Sequence, residues 1–162
     1  MHNEDVLSLF DRYADDAFRL AYSYLGSRAD AEDVVQEVFL KLIRSDIRIT
    51  KGKEKTYLLT MVANACKDKM RSSENIFGQP FDDAIDVKWE DDTKEEDSEL
   101  FEAVSRLPEK LRIAIHLHYY EGYSVKETAD ILDIATSAVS MRLTRAKELL
   151  KKHFEGGSRY AG

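Results

Sequence analysis

The chain has 162 residues, a formal net charge of −7 and one cysteine, Cys66. One cysteine excludes an internal disulfide and fits a reducing compartment, and no apolar run approaches the roughly 20 residues of a membrane helix. The acidic N-terminus lacks the basic-then-apolar pattern of a secretion signal, so we expect a cytoplasmic protein. Glycine and proline are few, and apolar residues recur mainly at helical spacing, which predicts an all-α fold.

The charge differs sharply among segments of the chain. Residues 1–43 carry a net charge of −5, residues 44–73 carry +5, residues 74–102 carry −10 and residues 103–162 carry +3. Because salt confines each field to about 8–10 Å, the segment charges matter more than the total. Two basic segments are therefore separated by a strongly acidic one.

Two helices are predicted in the first 43 residues. The first spans about residues 4–25 and ends at Gly26, after which Ser27 can cap the second. The second has an apolar stripe at i, i+3, i+4, i+7 spacing, which comprises Ala31, Val34, Val35, Val38, Phe39, Leu42 and Ile43. Its opposite face is polar and mostly acidic, and holds Asp30, Asp33, Gln36, Glu37 and Lys41.

A basic connection around Gly52 leads into a third helix, which we predict at residues 55–72. The cations of the connection are Arg48, Lys51, Lys53 and Lys55. The apolar side of the helix is predicted to contain Leu58, Met61, Val62, Ala65, Cys66 and Met70. Four polar residues at i, i+4, i+7 and i+11 share another face: Thr60, Asn64, Lys67 and Arg71.

No sustained period follows until about residue 97, and this acidic stretch is predicted to be a linker that is at least partly disordered. Helices resume near Ser98, and Pro108 suits the first position of the next one. Ser124 and Glu127 then form a capping box that starts a helix at residues 125–132. We expect a turn plugged by Ile134 to follow.

The last predicted helix is capped by Thr136 and packs through Val139, Leu143, Ala146 and Leu150. Its outward side offers Ser137, Ser140, Met141, Thr144, Arg145 and Lys147. Two capped helices joined by a short turn, with small polar and cationic side chains exposed on the second, are typical of a helix-turn-helix. An ordinary helical hairpin with a solvated charged face explains these residues equally well.

Four stretches together resemble the extracytoplasmic-function (ECF) class of bacterial RNA polymerase sigma factors. They are D-A-E-D-V-V-Q-E-V-F within residues 9–42, TYLLTMVANACKDKMRS at 56–72, LPEKLRIAIHLHYYEGYSVKETADIL at 107–132, and D-I-A-T-S-A-V-S-M-R-L at 133–143. The second stretch resembles the family's helix that reads the −10 promoter element, with Asn64 and Arg71 matching and Tyr57 in place of the usual Trp. The fourth departs most, because Ser140 and Met141 stand where Lys or Arg and Ser are usual.

The resemblance implies two small helical domains: sigma region 2 at residues 1–73 and the region 4 helix-turn-helix at residues 98–162. An acidic flexible linker at residues 74–97 would join them. It also implies an alternative sigma factor, often linked to stress responses. Such a factor binds core RNA polymerase, directs promoter-specific transcription initiation through the −10 and −35 elements, and assists promoter melting.

Site residues follow from the same resemblance. The −10 element would be bound by Arg48, Lys51, Lys53, Lys55, Tyr57, Thr60, Asn64, Lys67 and Arg71. The −35 element would be bound by Thr136, Ser137, Ser140, Met141, Arg142, Thr144, Arg145 and Lys147. Asp30, Asp33, Gln36 and Glu37 would bind the clamp helices of the polymerase. Tyr57 is explained equally well as a core aromatic, and Met141 is a hypothetical contact to a thymine methyl.

The implied partners are the clamp helices and flap of core RNA polymerase, promoter DNA and an anti-sigma factor, which in this family is often membrane-bound. We expect no catalytic residues, cofactor, metal or small-molecule substrate; His116 and His118 point to different sides of a helix and do not form a zinc pair. A conventional operator-binding regulator without sigma activity explains residues 103–154 but not the N-terminal stretches. A helical interaction scaffold explains the acidic surface but not the basic segments.

Overall fold

The computed structural model describes residues 3–45, 48–77 and 98–161, and these ranges contain helices and no strand, which confirms the all-α prediction. The helices are α1 (Asn3–Leu25), α2 (Arg28–Arg44), α3 (Glu54–Phe77), α4 (Ser98–Ser105), α5 (Glu109–Ile115), α6 (Val125–Leu132) and α7 (Thr136–Ala161). A π-helical turn (His116–Tyr120) extends α5. The predicted acidic linker lies outside the described residues from position 78 onward.

Helices α1 to α3 form what we call the N-terminal unit. The predicted stripe of α2 is buried except for Ile43, which is 40% exposed because it lies at the end of the helix. Gly26 ends α1 with a φ of 67°, a left-handed conformation that glycine adopts without strain. Ser27 caps α2 as predicted, since its hydroxyl accepts a hydrogen bond from the backbone N–H of Asp30.

Helix α3 buries a wider stripe than the sequence predicted. Leu59 and Ala63 are buried together with the expected Leu58, Val62 and Cys66. The reason is that α3 packs on two sides, against α1 and α2 and also against α6. Burial raises the pKa of the Cys66 thiol, so this group is an inert part of the core rather than a reactive thiolate.

Helices α4 to α7 form what we call the C-terminal unit. Its core comprises Val104, Leu107, Ala114, Ile115, Ala129, Val139, Leu143 and Ala146. Pro108 precedes the first residue of α5 as its N-cap, one position earlier in the helix than predicted. Ala129 of α6, a small residue of this core, is 3% exposed.

The helix-turn-helix has the predicted local geometry at its first helix. Both halves of the Ser124–Glu127 capping box form, with lengths of 3.0 Å and 2.9 Å. Asp133 adopts a left-handed φ of 56°, and Ile134 packs into the turn as expected. The predicted cap of the second helix was wrong, because Thr136 is already the first helical residue of α7.

The two units share one hydrophobic core, an arrangement that the sequence did not predict. Ile113, Leu117, Tyr123, Ile131 and Leu132 of the C-terminal unit belong to the same buried cluster as the core of α1 to α3. The contact is made by α1 against α5 and by α3 against α6.

A buried arginine reinforces this contact. Arg112 on α5 is 3% exposed, and its guanidinium donates hydrogen bonds to the carbonyls of Ser23 (2.8 Å) and Tyr24 (3.1 Å). These carbonyls lie in the last turn of α1, where backbone acceptors lack partners within the helix. A third bond reaches the carbonyl of Leu107 at 3.1 Å within the C-terminal unit.

The two histidines near the contact have different surroundings. His118 Nδ1 lies 2.7 Å from the carbonyl of Tyr123. The buried Nε2 of His116 has no hydrogen bond and lies 3.5 Å from a carboxylate oxygen of Glu121. Burial, with a smaller contribution from the charge of Arg19, lowers the pKa of His116 to about 4.

Among the described residues, no helix is long and apolar enough to cross a membrane. In the same ranges, no group of three or more His, Cys, Asp or Glu side chains is placed to hold a metal ion.

Replacing Ser124 with Ala should lower the free energy of unfolding by about 1 kcal/mol, because the N–H of Glu127 loses its cap. Urea unfolding followed by circular dichroism measures this difference. Ser140→Ala, an exposed site on α7, is the matched control and should change the free energy by no more than about 0.5 kcal/mol. Equal effects of the two substitutions would contradict the capping role.

Stability should also depend on pH through His116. The folded-state pKa of about 4 lies below the unfolded value of 6.5, so the unfolded chain binds more protons between these limits. The contribution of neutral His116 to the free energy of unfolding is therefore complete above pH 6.5. It is lost as the pH falls toward 4, by about 3 kcal/mol.

Urea unfolding of the wild type and of His116→Gln at pH 7.5, 5.5 and 4.5 tests this expectation. Other groups titrate in both proteins, so the difference between the two isolates His116. The wild type should lose more stability than the variant as the pH falls, and parallel curves would contradict the assignment.

Candidate nucleic-acid interface

The outward face of α7 is available to solvent along its first three turns. Ser137, Ser140, Thr144, Arg145 and Lys147 are all exposed. This face is exposed because the opposite one buries Val139, Leu143 and Ala146, which fixes the rotation of the helix. The predicted base-reading residues therefore lie together on one accessible surface, as a recognition helix requires.

Met141 is the most unusual member of this face. It is 73% exposed, which is high for a large apolar side chain. The cations near it are held by local partners: Arg145 lies 3.4 Å from Glu148, and the ammonium of Lys147 lies 5.1 Å from the ring centre of Tyr119. Exposed pairs of this kind are weak, so both cations can turn toward a phosphate.

The basic connection before α3 is a defined turn rather than a loose loop. Gly52 has a φ of 88°, and its N–H donates to both carboxylate oxygens of Glu54 at 3.0 Å and 3.1 Å. Hydrogen bonds from the backbone N–H of Glu54 itself and, second, from that of Gly52 lower the pKa of the Glu54 carboxyl. The turn holds Arg48, Lys51 and Lys53 outward, and all three are exposed as predicted.

Lys55 is placed differently from the other three cations. Its ammonium lies 4.5 Å from the ring centre of Tyr123 in the C-terminal unit and 5.9 Å from that of Tyr13. Tyr57 is partly buried against the shared core, which favours the packing explanation of this residue over a stacking role.

The polar face of α3 is directed partly toward the C-terminal unit. The hydroxyl oxygen of Thr60 lies 2.9 Å from the carbonyl oxygen of Ile131 and 2.8 Å from that of Thr56 in its own helix, and its one proton is donated to either of them. Asn64 is exposed. Lys67 and Arg71 line a cleft of about 220 Å³ at the contact between the units. The other residues that line this cleft are Tyr24, Glu109, Lys110, Ile113, Leu132, Ile134 and Arg142. The structure therefore brings Arg142, predicted for the −35 site, close to residues predicted for the −10 site.

The acidic face of α2 lies apart from these cations. Asp33, Gln36 and Glu37 are exposed, whereas Asp30 is half-buried with its carboxylate 3.9 Å from the ammonium of Lys69. Three of the four predicted polymerase-binding residues are therefore open to a partner.

Three contacts between the units were not predicted from the sequence. They are the hydrogen bonds of Arg112 to α1, the contact of Lys55 with Tyr123, and the contact of Thr60 with Ile131. Arg112 had a usable signal, because a cation between Leu111 and Ile113 in an apolar run indicates a buried, bonded charge. The other two contacts had none, since each joins residues about 70 positions apart.

The fold and the exposed surfaces described above are those of a helical DNA-binding protein. It has a helix-turn-helix in α6 and α7 and a second basic surface at the turn around Gly52 and α3. Residues 9–76 match the family model of sigma-70 region 2, and residues 97–150 match that of sigma-70 region 4. Among curated relatives, the RNA polymerase sigma factor SigV of Bacillus subtilis (strain 168) is 30% identical over 141 residues. That match covers 84% of this chain and 82% of SigV.

The ECF RNA polymerase sigma-E factor of Haemophilus influenzae is also 30% identical, over 164 residues that cover 91% of this chain and 86% of the relative. The chain belongs to the ECF RNA polymerase sigma factors. This confirms the predicted function in promoter-directed transcription initiation and does not favour the operator-binding alternative.

A solved structure of the sigma factor RpoE in complex with the anti-sigma factor NepR, from Bartonella quintana, has the same fold. Its TM-score is 0.68 at 22% sequence identity, and the match covers 94% of this chain and 95% of that one.

Proposed function

We propose that this sigma factor divides its work between the two units described above. Region 2 corresponds to residues 1–73 and binds the polymerase and the −10 element. Region 4 corresponds to residues 98–162 and binds the −35 element, and residues 74–97 link them. The observation that carries the proposal is the region 2 match over residues 9–76, because an operator-binding regulator needs only the helix-turn-helix.

At the −10 element, the turn around Gly52 supplies positive charge and α3 supplies hydrogen-bond donors. Arg48, Lys51 and Lys53 are exposed at the start of this surface, and Asn64 and Arg71 are exposed further along it. A separated strand needs a cationic groove and contacts to its base edges, and this surface offers both.

At the −35 element, the first turns of α7 enter the major groove. Ser137, Ser140 and Thr144 offer hydroxyl groups to base edges, and Met141 offers an apolar contact to a thymine methyl. Arg145 and Lys147 bind phosphates beside the groove. With fewer cations at its start than the family usually has, this helix depends more on the polymerase to hold it in place.

The exposed carboxylates of α2 bind cations on the clamp helices of the polymerase. We also propose an anti-sigma partner, because the solved structure of the sigma factor RpoE holds the anti-sigma factor NepR. A second structure with the same fold holds CnrH in complex with the cytosolic domain of CnrY. The function places the chain in the cytoplasm with RNA polymerase, and it assigns the chemistry of transcription to the polymerase.

The direct test adds the purified chain to the core RNA polymerase of its own organism on a library of genomic promoters. Sequencing of the transcripts should show start sites that core enzyme alone does not use. Binding of the chain to defined operators without any new start sites would instead favour the operator-binding alternative.

Replacing Arg48, Lys51 and Lys53 together with Ala should reduce initiation at those promoters by at least about tenfold. The slope of log affinity against log salt should fall by about 2, because each lost phosphate contact to a single strand removes about 0.7. Fluorescence anisotropy of holoenzyme on promoter DNA with an open −10 region measures the slope.

The matched control removes the same number of exposed cations elsewhere, by replacing Arg106, Lys151 and Lys152 with Ala. It should leave the slope and the initiation rate close to the wild-type values. A control that loses as much as the first variant would show that total charge, rather than the turn around Gly52, governs binding.

A further inference from the structure

We propose that the cleft lined by α3, α5 and α7 is a binding site for a small molecule that carries a diphosphate group, such as a nucleoside diphosphate. The cleft has a volume of about 220 Å³. The site itself is independent of the proposed function, and only its competition with DNA rests on that function.

Cations from three helices converge on this cleft. Lys67 and Arg71 lie one helical turn apart on α3, Lys110 lies in the first turn of α5, and Arg142 lies on α7. Glu109 is the one carboxylate among the described residues of the lining, so these side chains carry a net charge of +3. Because like charges held close together are unfavourable unless an anion neutralises them, the lining favours a negatively charged ligand.

The cations of the cleft are not engaged in ion pairs within the part of the chain that the structure describes. Elsewhere on the surface, Arg19, Lys69 and Arg145 each pair with a carboxylate, at distances of 2.6, 3.9 and 3.4 Å. A ligand that enters the cleft therefore breaks no intramolecular ion pair, and the full charge of the lining acts on it.

The floor of the cleft is apolar, and it strengthens the attraction for an anion. Tyr24, Ile113 and Leu132 are at most 6% exposed, and Ile134 is partly buried beside them. Walls of low dielectric constant that carry charges of one sign concentrate the electric field in a cleft. The same side chains offer an apolar surface to a ring attached to the phosphates, as in a nucleoside.

Charge and size together favour a diphosphate group. A single phosphate group carries about −1.5 to −2 at pH 7, so it leaves part of the +3 of the lining unbalanced. A second phosphate group supplies the missing charge, and the two guanidinium groups offer forked donors that match phosphate oxygens. A nucleic-acid strand carries only a single charge per nucleotide and continues on both sides of the site, so it fits a cleft of this size poorly.

Such a ligand competes with DNA for the same side chains. The proposed function assigns Lys67, Arg71 and Arg142 to the promoter, whereas Lys110 belongs to the cleft alone. A bound diphosphate neutralises the first three, so it lowers the affinity of the chain for a DNA strand. The concentration of the ligand then sets how much of the sigma factor is available to promoters.

Isothermal titration calorimetry of the full chain tests the site with inorganic pyrophosphate, GDP, orthophosphate and sulfate, at constant ionic strength and without divalent cations. Pyrophosphate and GDP should bind in a one-to-one complex, at least about tenfold more tightly than the other two anions. Tighter binding of GDP than of pyrophosphate supports the site and shows that the apolar floor takes part. Equal affinities for all four anions would mean nonspecific attraction to a positive surface and would overturn the proposal.

Three variants locate the site. Lys110→Ala should weaken pyrophosphate binding by about tenfold, because it removes a charge-assisted contact. Lys126→Ala, which removes an exposed lysine of α6 outside the cleft, is the matched control and should leave the affinity unchanged. Glu109→Gln should tighten binding by at least about threefold, since it raises the net charge of the lining.

The gain expected of Glu109→Gln separates an electrostatic site from damage to the fold, which can only weaken binding. Circular dichroism confirms that each variant is folded. An unchanged affinity in either Lys110→Ala or Glu109→Gln would overturn the site.

Fluorescence anisotropy of the chain on a labelled single-stranded oligonucleotide measures the competition. At constant ionic strength, saturating pyrophosphate should weaken oligonucleotide binding by at least about threefold more than sulfate does. Equal effects of the two anions would overturn the shared use of the cations. A chain that binds no oligonucleotide under any condition counts against the proposed function, and the calorimetry still decides the site.

Discussion

The bonds from Arg112 to the last carbonyls of α1 are the interaction on which the arrangement of this protein depends. Every helix end leaves backbone carbonyls without intrahelical partners. Here the partner for two of them comes from the other half of the chain, at Ser23 and Tyr24. The same guanidinium bonds to Leu107 in its own unit. One buried cation therefore joins α5 to the end of α1, beside the apolar contacts that Ile113 and Leu117 make in the shared core.

In this arrangement, the two proposed DNA-binding surfaces differ in how far they are exposed to solvent. The outward face of α7 is fully exposed, since nothing described in the structure packs against Ser137 or Met141. The polar face of α3 is exposed at Asn64 but engaged at Thr60. Of the two proposed DNA-binding surfaces, the −35 surface is therefore exposed in this structure, whereas part of the −10 surface is in contact with the C-terminal unit.

The charge distribution explains how an acidic chain can bind DNA. The exposed cations near Gly52 lie at one end of α3, and the carboxylates of α2 lie on the outer face of the neighbouring helix. At a screening length of about 8–10 Å, a phosphate near Lys51 experiences its local cations rather than the total of −7. The same separation leaves Glu37 and its neighbours free to bind a protein partner with the opposite charge.

The sequence by itself determined the features that depend on near neighbours in the chain. The stripe of α2, the capping box at Ser124 and the exposed face of α7 were all predictable, because helical spacing and caps act within about four residues. The family resemblance supplied the candidate surfaces. Only the tertiary structure decided that Thr60 lies against Ile131 and that Arg112 joins the two units. Those contacts span 71 to 89 positions, and such pairings depend on how whole helices pack, which no local pattern encodes.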